Sequence, residues 1–441
     1  MLPMLREADN SMMAISPKSG LPGNPPPNLR SHMPHFEASA VQASGIQQTI
    51  NAAEVVREFC SHGGLANFSN RGSQETGQNS SGLGVSLNSS QWQLLEKGVR
   101  QRFEAINACL DEIVRGRRVP SYLRDCGFLT TRIRASLSPL SDSLRSEVAW
   151  TWFGSTDIHL KANGELTVFD QNFSLPTGLQ TLSPSAGFRK ASDQSLPWLS
   201  LPEKSGKSGL AVLLTPGAFS STGPGNEFIA NSLNILTARN SDLCVRGNSV
   251  FLRMSGKELP VSTVVRRVDD DLLDPNCFRP DSLVGVPGLV KAWKNGGVDV
   301  LSPPGVSLAS CRTFGKYVPD MILEFLGEAP ILDCASVFEC EEPAVLKHVM
   351  ANVKNFAIRT NDPLHPARPF FGRTGTAVEF ADLLLRLRKN PSAYVARPLL
   401  EESDTPGHSL RVYATMTNRF RLIPGFINRP CQLDGGAPYY L

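Results

Sequence analysis

No run of eighteen apolar residues occurs anywhere in this 441-residue chain, so no segment is long enough to cross a bilayer as a helix. Residues 1–13 lack the apolar core of a signal peptide. Charge of one sign is also lacking. The formal net charge is +3, and no basic stripe is interleaved with aromatics, which argues against nucleic acid or a membrane surface as a partner. Histidine is scarce, and its seven copies fall in no metal-ligand spacing. No Cys-x-x-Cys is present. The nine cysteines, Cys60, Cys109, Cys126, Cys244, Cys277, Cys311, Cys334, Cys340 and Cys431, are odd in number and scattered. They point to a reducing, cytoplasmic setting and to small buried hydrophobes, against a zinc site or a disulfide framework. A Gly-x-Ser-x-Gly elbow is missing too, as is any local Cys/His arrangement, which removes the commonest nucleophile signatures.

What is present is a low-complexity start followed by α/β patterning. Residues 1–45 are rich in Pro, Ser, Gly and Met, residues 50–60 can form a short helix, and residues 69–90 read as linker. Residues 1–88 are therefore expected to be mostly disordered, with a folded domain over 89–430 and a short tail over 431–441. Ser89 and Ser90 can cap a helix in which Trp92, Leu95, Val99, Phe103, Ile106, Leu110 and Ile113 recur at three- and four-residue steps. Residues 183–208 are polar and broken by prolines, as a loop between lobes would be. A strand over 210–214, a helix over 228–236 and a strand over 261–265 follow. Residues 321–325, 345–353 and 378–387 read as helical, and 412–415 with 420–423 as paired strands.

Two segments concentrate charge. The strand at 261–265 ends in Arg266 and Arg267, and Asp269, Asp270, Asp271 and Asp274 come directly after. Such a run is either a solvated strand exit or a site for an anionic ligand, with forked arginine donors steadied by acids. The second segment is a hairpin over 155–170, centred on Asn163-Gly164. A two-residue type I′ turn there pairs Ala162 with Glu165 and sets Asp157 opposite Asp170, with Asn172 on the same face. Opposed carboxylates repel. Either a divalent cation bridges them, since Mg²⁺ takes one or two carboxylates plus phosphate oxygens, or the acids sit solvated at a frayed end.

Ser205-Gly206-Lys207-Ser208 imitates the end of a Walker A motif, but Leu201 stands where the first glycine should be, Pro202 interrupts, and the segment precedes a strand instead of following one. The turn at Pro216-Gly217 and Gly223–Gly225 is the better ligand-facing loop.

The residues Arg266-Arg267, Asp269–Asp271, Asp274-Pro275, Arg279-Pro280-Asp281-Ser282 and Gly285-Val286-Pro287-Gly288-Leu289 resemble the circularly permuted ATP-grasp family, related to glutathionylspermidine synthetase. The resemblance runs from about residue 90 to about residue 430. It implies an α/β (α+β) fold with two lobes around a nucleotide cleft. It also implies an ATP- and Mg²⁺-dependent ligase that joins a carboxylate to an amine through an acyl-phosphate, acting on small-molecule or peptide substrates. Asp157, Asp170 and Asn172 match the magnesium ligands, although Asp170 is shorter than the usual Glu. Arg312 and Arg359 stand where the family has phosphate-binding lysines, and Arg397 stands where its adenine hinge has Gln. Arg266 and Arg267 would orient the carboxylate or the acyl-phosphate, and Arg411 and Arg429, in segments that resemble the family's Asp-Leu-Arg and Pro-Gly-Gly-x-x-Arg, join them as catalytic candidates. Ser409 replaces the family's Asp before Leu410-Arg411, Gly225-Asn226 replaces a Glu-His pair, and three prolines enter the segment before Gly372 and Gly375. These departures open a second expectation: a degenerate member that keeps the fold and serves a protein partner or a regulatory role without turnover.

Overall fold

In the computed structural model, residues 87–140, 148–182, 199–202, 207–217, 220, 222–361, 369–399 and 408–430 are described. The low-complexity start, the tail over 431–441 and most of the 183–208 loop lie outside the described residues, as do residues 362–368 of the proline-interrupted segment.

Helix α1 (Ser89–Val114) is the amphipathic helix that the periodicity predicts. Its cap is Asn88 instead of the serine pair. The Asn88 side chain accepts from Gln91 N at 2.8 Å, and the Gln91 side chain accepts from Asn88 N at 3.0 Å. Leu95, Val99, Phe103, Ile106 and Leu110 are fully buried along one face. That face packs on a mixed sheet with strand order β15-β14-β1-β2-β9, in which β16 also pairs with β14. These strands are β1 (Phe153–Leu160), β2 (Leu166–Asn172), β9 (Asp333–Cys334), β14 (His408–Met416), β15 (Phe420–Leu422) and β16 (Ile427–Pro430).

A second sheet has the order β4-β3-β7-β6-β5, with β8 also on β7. It consists of β3 (Leu210–Leu214), β4 (Leu236–Ala238), β5 (Leu243–Arg246), β6 (Ser249–Met254), β7 (Lys257–Arg266) and β8 (Asp299–Leu301). Helix α2 (Gly223–Leu233) links β3 to β4 as a parallel crossover. The first two sheets contribute to one continuous core, in which Ile158 and Val168 join Val212, Val264, Leu410 and Val412.

The third sheet is antiparallel, β10-β13-β11-β12, built from β10 (Phe338–Glu339), β11 (Phe356–Thr360), β12 (Phe370–Phe371) and β13 (Tyr394–Pro398). With helices α3 (Pro343–Ala351) and α4 (Ala377–Lys389) it forms a smaller layer whose own core includes Val349, Phe356, Ile358, Leu383 and Leu387. The fold is thus mixed α/β. The helix expected at 321–325 continues a turn at Val318–Met321 as a π-helical stretch, Ile322–Leu326.

The Asp-Pro to Gly-Leu run after β7 is a structural strap. Asp274 accepts from Asn276 N at 2.9 Å, Gly288 N at 3.0 Å and Val290 N at 2.9 Å, which pins the strap to the start of the short helix Leu289–Lys294. A Cβ at Gly285 would lie 2.2 Å from the Leu272 carbonyl oxygen, and that neighbour is backbone, so it cannot swing aside. Gly285→Ala should therefore lower unfolding free energy by roughly 1–3 kcal/mol, the range for overpacking. Urea denaturation reads this directly, and an unchanged midpoint would show that the strap relaxes freely.

Candidate functional site

The acidic hairpin is built by two irregularities that cancel. Lys161 N donates to Glu165 O and Gly164 N to Lys161 O, both at 2.9 Å, and Gly164 has φ 87°. The loop is therefore the three residues 162–164, not the two-residue turn expected, and Ile158 faces Val168 one step out of the expected register. Phe169 then enters as a bulge and restores the count. Asp157 faces Asp170 and Ser155 faces Asn172, as the sequence predicts, but for a different reason.

Arginines answer the opposed acids. Arg411 stands directly across from Asp157 in β14 and grips both its oxygens, Nε to Oδ1 at 2.6 Å and Nη2 to Oδ2 at 2.7 Å. Burial works against the Arg411 charge, yet its bonds to Asp157 hold it above the usual arginine range. Arg312 opens a short helix after the main core and brings Nε to 3.2 Å from Asp170 Oδ2. Its Nη1 donates to Thr360 O at 3.3 Å, which ties it to the end of β11.

Arg359 lies on β11 and Arg397 on β13. Because Ala357 pairs with Arg397, the two arginines are diagonal neighbours on one face of the third sheet. Burial pushes Arg359 down to about 10, and Arg312 adds to the fall, while Asp170 opposes it. Arg397 is lowered by burial with Asp170 opposing, and its guanidinium carbon sits 6.0 Å from the centre of the Phe169 ring. Burial alone would raise the Asp170 carboxyl, but Arg312, Arg397 and Arg359 outweigh it and hold the group below the carboxylate range. The structure thus gathers Arg312, Arg359 and Arg397 around Asp170, with Asp157 and Arg411 alongside.

Beside Asp170 runs a pocket walled by Val168, Ala335 and Val337 and edged by Gln171, Cys334 and Arg397. Arg102, 1% exposed, donates to Gln171 Oε1 at 3.0 Å through Nε. Arginine can only donate, so the amide orientation is fixed and Gln171 Nε2 is left as a buried donor with no hydrogen-bond partner. Arg102 and Gln171 are the site residues that sequence reasoning missed. Their signal was the polar position in the middle of the α1 apolar stripe.

Arg266 and Arg267 do not join this group. Arg266 is fully buried and pairs with Asp270 at 2.6 Å. It donates to Ser302 O at 2.6 Å, Val268 O at 2.9 Å and Ser174 Oγ at 3.4 Å. Arg267 donates to Asn226 Oδ1 at 2.7 Å and Pro176 O at 2.9 Å, and burial pushes it down to about 10. In this pair, which was expected to orient a carboxylate, neutral oxygens and one buried aspartate occupy the two guanidinium groups, which hold backbone together. Arg429 lies in β16 opposite Ser409, and its side chain is outside the described residues. Lys207, from the Walker-like segment, pairs with Asp299.

The donor set expected for magnesium is spoken for. Asn172 Oδ1 accepts from Ser174 N at 3.1 Å and Leu175 N at 3.0 Å, and its Nδ2 donates to Leu175 O at 3.2 Å. Asp157 and Asp170 are engaged by Arg411 and Arg312. Among the described residues, no three His, Cys, Asp or Glu side chains gather as a metal-binding group. In this arrangement the residues do not fit a divalent cation.

Two outcomes follow. Replacing Arg266 by Met strands the buried Asp270 charge, so Arg266→Met should cost about 3–5 kcal/mol of folding stability, read by denaturant unfolding; a loss near zero would return Arg266 to the list of ligand-binding candidates. Burial pushes the Asp269 carboxyl up to about 6, with Arg266 opposing and Asp270 and Asp271 adding. A carboxyl raised on folding binds its proton more tightly in the folded state, so its ionisation costs stability as pH rises from about 4 to about 6. Asp269→Asn should therefore raise the thermal midpoint at pH 7 and leave it unchanged below about pH 4; identical curves at both pH values would refute the shift.

Comparison with known proteins agrees with this architecture. The description "circularly permuted ATP-grasp type 2" matches residues 180–429. The chain is 27% identical over 339 residues to an uncharacterized protein of Synechocystis, which covers 72% of this chain and 70% of that one. It is 26% identical over 361 residues to an uncharacterized protein of Mycobacterium tuberculosis, covering 76% of this chain but 63% of the relative. A second uncharacterized protein of that organism matches at 24% over 362 residues and is spanned for 40% of its length. The chain belongs to the circularly permuted ATP-grasp type 2 family.

Proposed function

We propose that one ATP-grasp-like domain over residues 89–430 binds ATP beside the acidic hairpin, with its phosphates on Arg312, Arg359 and Arg397. We further propose that it serves the family's chemistry, joining a carboxylate to an amine through an acyl-phosphate. The observation that carries the nucleotide half is geometric: Arg312 lies 3.2 Å from Asp170, Arg397 lines the same pocket as Asp170, and Arg359 is the diagonal neighbour of Arg397. Lysine-to-arginine exchange keeps the charge and supplies forked donors suited to phosphate oxygens. Family membership supports the ligase half. Its substrates would be small carboxylates and amines, or peptides carrying them.

A second reading, binding without turnover, is favoured by one specific observation. Asp157, Asp170 and Asn172, the set that should hold magnesium, are all engaged by protein partners. A protein partner would then be the client of the bound state.

The test is a thermal-shift titration followed by a trapping assay. A ligand that binds only the folded protein at about a hundredfold over its Kd adds roughly 2.7 kcal/mol. ATP should raise the midpoint, and Arg312→Ala and Arg359→Ala should abolish the rise. Hydroxylamine added with ATP and a pool of carboxylates would trap an acyl-phosphate as the hydroxamate with release of ADP. ADP and hydroxamate support ligation, a midpoint rise without either supports the second reading, and no rise at millimolar ATP sinks both.

A further inference from the structure

We infer that this cleft holds a polyphosphate directly on arginine side chains, with no bridging divalent cation. The inference rests on the anion-binding half of the proposed function and adds how the charge is met.

Among the described residues, four guanidinium groups, on Arg312, Arg359, Arg397 and Arg411, act on two carboxylates, Asp157 and Asp170. Two positive charges are left over in a partly desolvated space. A magnesium ion would enter against that excess. To bind Asp157 it would have to break a two-point ion pair written into the β1–β14 register. To bind Asn172 Oδ1 it would have to open the turn that shapes Ser174 and Leu175. An anion meets the opposite situation. Arg312, Arg359 and Arg397 repel one another, and a phosphate placed among them relieves that repulsion.

Donors are also waiting. Arg397 Nε and Gln171 Nε2 are buried without a hydrogen-bond partner, and both residues edge the pocket beside Asp170. Arg312 Nε stands at ion-pair distance from Asp170 Oδ2 but makes no hydrogen bond with it. Unmet buried donors are costly, and a ligand rich in acceptor oxygens satisfies them. The chemistry that fits is a chain of phosphates, supplied by a nucleoside triphosphate or by inorganic polyphosphate.

The experiment is isothermal titration of the full chain with three ligands: ATP in EDTA, ATP with excess magnesium, and inorganic triphosphate in EDTA. ATP should bind in EDTA within about threefold of its affinity with magnesium, since no cation is displaced or recruited. Arg359→Gln and Arg397→Gln should weaken both by tenfold or more, with Arg397→Lys restoring part of the loss. Asp170→Asn should keep or strengthen ATP binding, because it removes a competing anion. Unfolding midpoints of each variant separate lost contacts from lost fold. Triphosphate binding as tightly as ATP identifies a phosphate-reading site, and tighter ATP identifies one that reads the base as well; both support the inference. ATP that binds with magnesium but more than tenfold weaker in EDTA overturns it while leaving ATP binding standing, as does loss of binding in a folded Asp170→Asn. No binding under any condition overturns the inference and the nucleotide reading together.

Discussion

The fully buried ion pair between Arg266 and Asp270 is the joint from which the rest of the molecule takes its geometry. A guanidinium with no solvent contact is tolerable only if its donors are met, because burying an unpaired charge costs several kcal/mol. Here the donors are met by the carbonyls of Ser302 and Val268 and by Ser174, and the charge by Asp270 at ion-pair distance. The contacts come from three pieces of chain: the end of β8, the turn after β7, and the exit of the acidic hairpin. Asp270 in turn receives Ser307 N at 3.0 Å. One residue further, Arg267 reaches Pro176 O and Asn226 Oδ1. The second sheet thereby clamps residues 174–176 of the first. The Thr177 carbonyl, next in line, accepts from Tyr413 Oη at 2.6 Å and Arg411 Nη1 at 3.4 Å. Two buried arginines thus position a third that faces the site.

That arrangement explains a departure from the family pattern that looks like erosion when the positions are read alone. Asn226 stands where a Glu-His pair is expected, and its amide oxygen accepts from Arg267 while its Nδ2 donates to Thr222 Oγ1 at 3.1 Å. A neutral acceptor suffices there because Arg267 also binds a carbonyl, and the buried environment lowers its charge preference. The changed pair has become part of the clamp. Around Asp170 the drift runs the other way. By the resemblance, arginine takes the place of lysine at 312 and 359, and Arg397 adds a further cation whose charge acts on the same carboxylate, Asp170. The first set of changes settles a charge inside the fold, and the second concentrates unspent charge at the cleft.

Local signals were readable in the sequence, and gathered ones were not. The periodicity of 92–113, the strand over 210–214 and the pairing of 412–415 with 420–423 depend on near neighbours and appear as expected. The hairpin shows the limit of that reasoning. Asn163-Gly164 correctly marked the turn, but a three-residue loop and a bulge at Phe169 each shift the register, and only their cancellation sets Asp157 against Asp170. The burial of Arg266 and Arg267 was not legible for a related reason: a run of charge beside a strand carries no information about burial. Their partners Ser302, Asn226 and Pro176 are 36 to 91 residues away. The arginines at 312, 359 and 397 could be singled out only through the family resemblance, since nothing periodic connects a helix start to two strands of another sheet.

The same geometry sets what the cleft can distinguish. Lysine presents a compact charge that tolerates many positions of a phosphate oxygen, whereas each guanidinium is a planar fork that demands a matching orientation. Arg312 is anchored by Thr360 O, Arg397 lies near the Phe169 ring, and Arg359 is its diagonal neighbour, so the forks are held from a helix and two strands at once. If it takes the proposed anion, such a site would lose little side-chain entropy on binding, which favours affinity. On the proposed reading it would also resist the movement of a phosphate from donor to acceptor, because a shift of about an ångström in the anion would unseat bonds that a lysine could follow. On the proposed phosphate reading, fixed arginines would strengthen the bound state before they helped any step out of it, and turnover would depend on whether the helix bearing Arg312 could move with the phosphate.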